Sequence, residues 1–170
     1  LIAVGRQPGQ YGEHATLALA NLPGATPEAQ EALVAELERV GAGPRPELAR
    51  GSLLEALGRM RVESAVAPAV AALRDGSEHV RNSALISLQG QGARARPHVS
   101  EVSSLFLAGS LATRIKVVNA LTAMGGPEAQ QELEGFAKRT DLTPSLKQTL
   151  DVALAELHRR KQPAGTPDAD

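Results

Sequence analysis

The sequence predicts an all-α protein built as an α-solenoid, and three observations carry that expectation. Composition is the first. Aromatic residues make up 2% of the 170 positions, with no Trp and one Tyr, while Ala and Leu dominate. Ala and Leu are strong helix formers, whereas strands favour β-branched and aromatic side chains. The second is a recurring apolar box, a small residue, then Leu, then an apolar residue three positions on. It occurs as Ala18-Leu19 with Leu22, Ala56-Leu57 with Met60, Ala120-Leu121 with Met124 and Ala153-Leu154 with Leu157. Ser87-Leu88 with Gln91 is an imperfect copy, and the anchors Leu19, Leu57, Leu88, Leu121 and Leu154 stand 38, 31, 33 and 33 residues apart. The third is a basic residue seven positions before each of the last four anchors: Arg50, Arg81, Arg114 and Lys147.

A helix pair of this size cannot bury both apolar faces alone, so pairs must stack side by side into a continuous core. Small residues such as Ala56, Ala84 and Ala120 let neighbouring helices approach closely. The second helix of each pair repeats as well, since Pro27-Glu-Ala-Gln30 returns as Pro127-Glu-Ala-Gln130, 100 residues and about three periods later. An unrelated bundle of Ala and Leu needs neither the period nor the recurring cation.

Each element has its own local reason. Leu1-Ile-Ala-Val4 reads as the last turn of an earlier element, so residues 1–10 are expected to be its remnant or an N-terminal extension. A helix is expected from Tyr11 to Leu22, ending at Pro23-Gly24. Thr26-Pro27-Glu28 is a cap, a proline at the first helical position and an acid, and it opens a helix with Ala29, Leu33, Leu37 and Val40 on one face. After the loop Gly41 to Pro46, helices are predicted from Glu47 to Met60 and from Glu63 to Arg74. The turn Asp75-Gly76 leads into a helix from Ser77 to Gln89, which Gly90-Gln-Gly92 ends. Arg94 to Leu107 is the next. Gly109-Ser110 restarts the pattern through Met124, Pro127 to Arg139 follows, and Thr143 to Arg160 closes the series. That makes four helix pairs and a final helix over residues 11–160. The remaining 161–170, rich in Pro, Gly, Thr and Asp, read as a disordered tail.

These residues resemble HEAT repeats in the short bacterial form, as in phycobilisome-lyase-type HEAT-like domains. The stretch Ala65 to Ala84 carries the likeness, with Pro68 in the second helix, Asp75 in the turn and Val80-Arg81 in the next helix. The resemblance implies a right-handed superhelix whose second helices line the concave, partner-facing surface. It also implies a ladder of turn Asp and helix Arg between neighbouring repeats. Asp75 with Arg81 fits that pattern, and Asp141 with Lys147 repeats the six-residue offset; Arg50 and Arg114 lack an Asp six residues before them. Tetratricopeptide aromatics and the ankyrin Thr-Pro-Leu-His motif are missing.

Chemistry-bearing patterns are sparse. Lys plus Arg number 18 against 19 for Asp plus Glu, without the basic stripe that phosphate neutralisation needs, so no nucleic-acid partner is expected. There is no Cys, and a metal site would have to be assembled from His14, His79, His98, His158 and carboxylates on different helices, none at i, i+4 histidine spacing. No cofactor is expected. No apolar run reaches the roughly 20 residues of a membrane span. Gly90-Gln-Gly92 and Gly125-Gly126 lack the Lys-Ser/Thr of a phosphate loop and read as helix ends. The acidic pairs Glu36 with Glu38 and Glu132 with Glu134 sit two apart on a helix and diverge.

One polar cluster stands out. Arg94, Arg96 and His98, with Glu101 one turn later, open a second helix, where cations oppose the helix dipole. They are the candidate partner-binding residues of a non-enzymatic scaffold that takes a protein or peptide along its second helices. The alternative is a HEAT-like enzyme, related by resemblance to alkylpurine DNA glycosylases or bilin-attaching lyases. Such clefts use aromatics, and Tyr11, Phe106 and Phe136 are few and dispersed. A structural arm of a longer polypeptide is the third reading, since the chain starts at Leu1 without Met. The cytoplasm is favoured over the periplasm.

Overall fold

The computed structural model describes residues 26–39 and 46–161. The expected helix from Tyr11 to Leu22, the remnant at 1–10, Val40, most of the Gly41–Pro46 loop and the tail after Lys161 lie outside them. Every regular element among the described residues is helical, and none is a strand.

Helix α1 (Pro27–Arg39) starts as its sequence dictates. The Thr26 hydroxyl accepts from the Ala29 amide at 3.3 Å, and Leu33, Val34 and Leu37 are buried. Helix α2 (Pro46–Arg59) carries the first described anchor, Leu57, with Leu54 and Ala56 equally sealed from solvent. The predicted helix 63–74 is cut shorter. A 3₁₀ turn, Glu63–Ala65, leads into α3 (Val66–Ala72), whose Pro68 lies in the first turn where its missing N–H costs little. The amides of Leu73, Arg74 and Asp75 each reach the carbonyl three residues back, so the last turn tightens into 3₁₀ geometry.

Helix α4 (Glu78–Gln91) runs through Gly90 and stops at Gly92, whose positive φ of 57° a glycine adopts without steric cost. The next prediction needs correction. Arg94 to Leu107 is not one α-helix: a 3₁₀ segment, Gly92–His98, precedes two short helices, α5 (Val99–Ser103) and α6 (Leu105–Ala108). Pro97 explains the delay, because it removes one amide donor and disfavours α geometry at Arg96. Helix α7 (Leu111–Met124) begins at Ser110, whose hydroxyl accepts from the Thr113 amide at 3.3 Å. Helices α8 (Gly126–Ala137) and α9 (Pro144–Lys161) complete the described chain.

The first helices touch in chain order, α2 against α4, α4 against α7 and α7 against α9. The second helices fill in beside them, α1 on α2, α3 on α4, α5 and α8 on α7, with α8 also on α9. Anchors Leu57, Leu88 and Leu121 are fully buried, each worth roughly 1.5–3 kcal/mol of transfer free energy. Leu154 is only partly buried, because α9 has a first helix on one side alone among the described residues.

Closest approach occurs between α2 and α4. A Cβ built on Gly58 lies 2.8 Å from the Ser87 carbonyl oxygen and closer still to the Ser87 Cα; one on Gly90 lies 2.7 Å from the Gly58 carbonyl carbon. The two backbones therefore meet without a side chain between them. Ser87 takes the place that Ala56, Ala120 and Ala153 hold in the other copies of the apolar box. It is fully buried, and its hydroxyl has no hydrogen-bond partner among the described residues. Ser87→Ala is accordingly expected to leave Tm unchanged or raise it, by up to about 1 kcal/mol of stability, in a calorimetric melt.

The imperfect copy at Gln91 has a specific use. Its Nε2 donates to the Val62 carbonyl at 2.7 Å inside the core, next to a chain reversal at Arg61. Arg61 has φ 55° and sits four residues after its anchor, as Gly92 and Gly125 do after theirs. A side chain in that conformation costs about 1 kcal/mol. Arg61→Gly is expected to recover part of that strain while keeping the carbonyl that receives Arg94, raising the urea midpoint at constant slope.

The turn aspartates pair differently from the expected six-residue offset. The Asp75 carboxylate faces Arg50 of α2, Oδ2 to Nη2 at 2.7 Å, while its Oδ1 accepts from the Ser77 amide. Arg81 instead donates through Nη1 to the Asp75 and Gly76 carbonyls at 2.7 and 3.0 Å. Asp141 binds Arg139 at 2.8 Å and lies 3.9 Å from Arg114; its expected partner Lys147 makes no such pair. The helical Arg thus reaches forward to the next turn's Asp, a geometry set by stacking consecutive pairs.

Candidate functional site

The four predicted residues share one segment, yet their side chains part. Arg94 Nη1 donates to the Arg61 carbonyl at 3.2 Å, just past the end of α2. Arg96 Nε donates to the Met124 carbonyl at 2.6 Å, at the end of α7. Both guanidinium groups sit where helix carbonyls present partial negative charge, so the dipole conflict expected of an α-helix N-terminus is relieved. His98 and Glu101 form a separate pair, Nδ1 to Oε1 at 3.3 Å. Glu101's own backbone amide, then His98, then the charge of Arg74 hold its carboxyl below the usual carboxylate range.

Around Arg96 the second helices leave an open groove of about 530 Å³. Arg96, Pro97, Val99 and Ser100 form one wall, and Glu128, Gln131 and Glu132 of α8 form the other. Glu128 and Glu132 stand four apart, one above the other on one helix face. Glu134, two residues from Glu132 and expected to diverge from it, accepts from Gln130 Nε2 at 2.6 Å. Sequence reasoning passed over Glu128 with Glu132; their i, i+4 spacing was the available signal.

A second groove of about 390 Å³ lies on the first-helix side, between α7 and α9. Amides and hydroxyls line it, including Asn119, Thr122, Gln148 and Thr149, with the exposed Val152 at its edge. Arg160 ties α9 to α7 through its Nη1, which donates to the Thr122 carbonyl at 3.1 Å.

Phe106 and Phe136 do come together, contrary to the expectation of dispersal. Their rings stack at 3.8 Å with a 4° interplanar angle, and the Arg114 guanidinium lies 5.6 Å from the Phe106 centroid. Both rings are buried, so their faces serve the core. His79 is exposed above Gly51, and His158 lies 3.5 Å from Gln130 Nε2. Among the described residues no group of three His, Asp or Glu is arranged to hold a metal ion. None of their helices is long and apolar enough to cross a membrane.

The carboxylates whose titration shifts all move downward. Glu78 is the most connected: its Oε1 accepts from Ser110 Oγ at 2.5 Å and lies 2.9 Å from Thr113 Oγ1, and these two hydroxyls are the main cause of its lowered pKa. Arg139 first, and Arg114 after it, lower Asp141; Arg160 and then Arg159 lower Glu156. A depressed folded pKa adds stability above the unfolded value and loses it as pH falls through the folded one. Tm is therefore expected to be level from pH 7 to about 5 and to decline below about 4.5. In Glu78→Gln that acid limb should be shallower, as read by circular dichroism melts across pH.

No protein-family model matches the chain, and no curated protein does.

Proposed function

We propose that the chain is a non-enzymatic scaffold, a right-handed α-solenoid of HEAT-like repeats that holds a protein or peptide partner along its second helices. The observation that carries the reading is the groove between the 3₁₀ segment Gly92–His98, α5 and α8. Two consecutive second helices contribute charged and amide side chains of both signs to one open channel, which suits an extended polar segment. The solenoid is supported by first helices that touch in chain order and by inter-repeat ties at roughly one period. Ser64 to Glu31, Ser83 to Glu55 and Ser110 to Glu78 are such ties, at 2.9, 2.8 and 2.5 Å. Each repeat thereby depends chiefly on its neighbours.

Arg96 is a poor residue to reverse, because it also caps α7. The informative variant is Glu128→Lys with Glu132→Lys, on the exposed wall. Affinity capture with the wild-type chain, followed by titration of the captured partner in a calorimeter, should show binding lost in the double variant at unchanged Tm. Undiminished binding would remove the groove from the reading. Small-angle X-ray scattering tests the solenoid: an elongated profile is expected, and a globular one would overturn it.

A further inference from the structure

The ladder has a missing rung. Its basic member stands seven residues before each anchor leucine and its acidic member thirteen before the next: Arg50 with Asp75, and Arg114 with Asp141, at 2.7 and 3.9 Å. Between them the same register pairs Arg81 with Ala108. The turn around Ala108 has also lost its other charged residues, though it keeps Ser110 where the preceding turn has Ser77. Where the preceding turn carries Arg74, Asp75 and Glu78, this one carries Leu107, Ala108 and Leu111, and the two leucines are 60% and 43% exposed. Isolated exposed leucines are ordinary, but these two flank the position of the missing carboxylate.

Arg81 is held in place for such a role. Its Nη1 is committed to the Asp75 and Gly76 carbonyls, which fixes the plane of the group. Its Nε and Nη2 make no hydrogen bond to another described residue, and neither is among the buried atoms left without a partner, so that edge reaches solvent. The turn lies beside it. Glu78, one helical turn before Arg81, holds Ser110, and Asn82 Oδ1 is 2.9 Å from Thr113 Oγ1. Glu78 feels the Arg81 charge, but its oxygen is engaged by the two hydroxyls of the next repeat.

We propose that Arg81 with Leu107 and Leu111 forms a second docking surface, on the turn ridge, for a partner segment carrying an aspartate or glutamate between apolar side chains. The partner's carboxylate takes the place of the rung's missing Asp on the Nε–Nη2 edge, and its apolar neighbours cover the two leucines. The chain itself displays the required chemistry, because the same Arg position is met by a carboxylate in the repeats on either side. A bidentate Arg–carboxylate contact gives such a site its preference for an acid over an amide.

The test uses the full chain and two fluorescein-labelled peptides, Leu-Asp-Leu flanked by Gly-Ser and its Leu-Asn-Leu counterpart. Fluorescence anisotropy should show the Asp peptide binding about tenfold more tightly than the Asn peptide, the factor that goes with one charge-assisted hydrogen bond. Nitrogen-15 spectra should shift at Leu107, Ala108, Leu111 and the Arg81 Nε. Ala108→Asp should supply the rung in cis, raising Tm and abolishing peptide binding, while Ala108→Asn should keep it. Arg81→Ala is unsuitable alone, since it also frees two turn carbonyls. Equal affinity for both peptides, shifts elsewhere, or undiminished binding by Ala108→Asp would overturn the proposal. So would shifts at 107–111 that follow protein concentration without peptide, which would make a second copy of the chain the occupant.

Discussion

Gly58→Ala is expected to destabilise the protein by about 2 kcal/mol or more, a sign opposite to its effect in an isolated helix. In a solvated helix the change gains about 1 kcal/mol, because glycine is the poorer helix former. Here the added methyl meets the Ser87 Cα and lies 2.8 Å from the Ser87 carbonyl, and these are backbone atoms with no rotamer to yield. Overpacking a core typically costs 1–3 kcal/mol, occasionally more, and a backbone-on-backbone contact belongs at the upper end. Gly90→Ala meets the reciprocal obstacle at the Gly58 carbonyl and should behave alike. Gly76→Ala is the control, since a Cβ there meets nothing within 4 Å. Chemical denaturation of the three variants checks the order: Gly58 and Gly90 lowered, Gly76 little changed. A stabilised Gly58→Ala would mean that α2 and α4 lie farther apart than described.

Why the anchors were legible from sequence while the Gly58–Gly90 contact was not follows from the physics of each. Leu57, Leu88 and Leu121 recur with the period and must be buried whatever the crossing angle, so spacing alone reveals them. The glycine contact depends on where two particular helices cross, and Gly58 has no distinguishing neighbour in the sequence. The break at Pro97 is the exception, a signal present in the sequence that the expectation of one helix from Arg94 to Leu107 left out. The ladder was legible as chemistry and misassigned in space, since six residues from Asp75 to Arg81 look local while the 25 from Arg50 to Asp75 become adjacent only after stacking. At the candidate site the same limit applies. Arg94 and Arg96 advertise charge, and only the fold reveals that each is directed at a neighbouring helix end, leaving Glu128 and Glu132 as the open wall.

Leu88→Ala should show how far neighbouring helix pairs depend on one another. Leu88 is fully buried in α4, the first helix that packs on both α2 and α7. Truncation removes the leucine's transfer free energy and leaves a cavity, together about 3–4 kcal/mol for a site that cannot collapse. Collapse is resisted here because Ser87 is already pressed against Gly58 on one side, while Asn82 and Glu78 are tied to Thr113 on the other. Because α4 packs on both α2 and α7, a loss there weakens two interfaces at once. Leu154→Ala, in the partly buried terminal anchor, weakens one and should cost about half as much. Native-state hydrogen exchange separates the outcomes. Leu88→Ala is expected to reduce protection in α2, α4 and α7 together, and Leu154→Ala mainly in α9. Equal loss across all helices in both variants would instead mark a single cooperative core, in which the boundaries between helix pairs carry no energetic meaning.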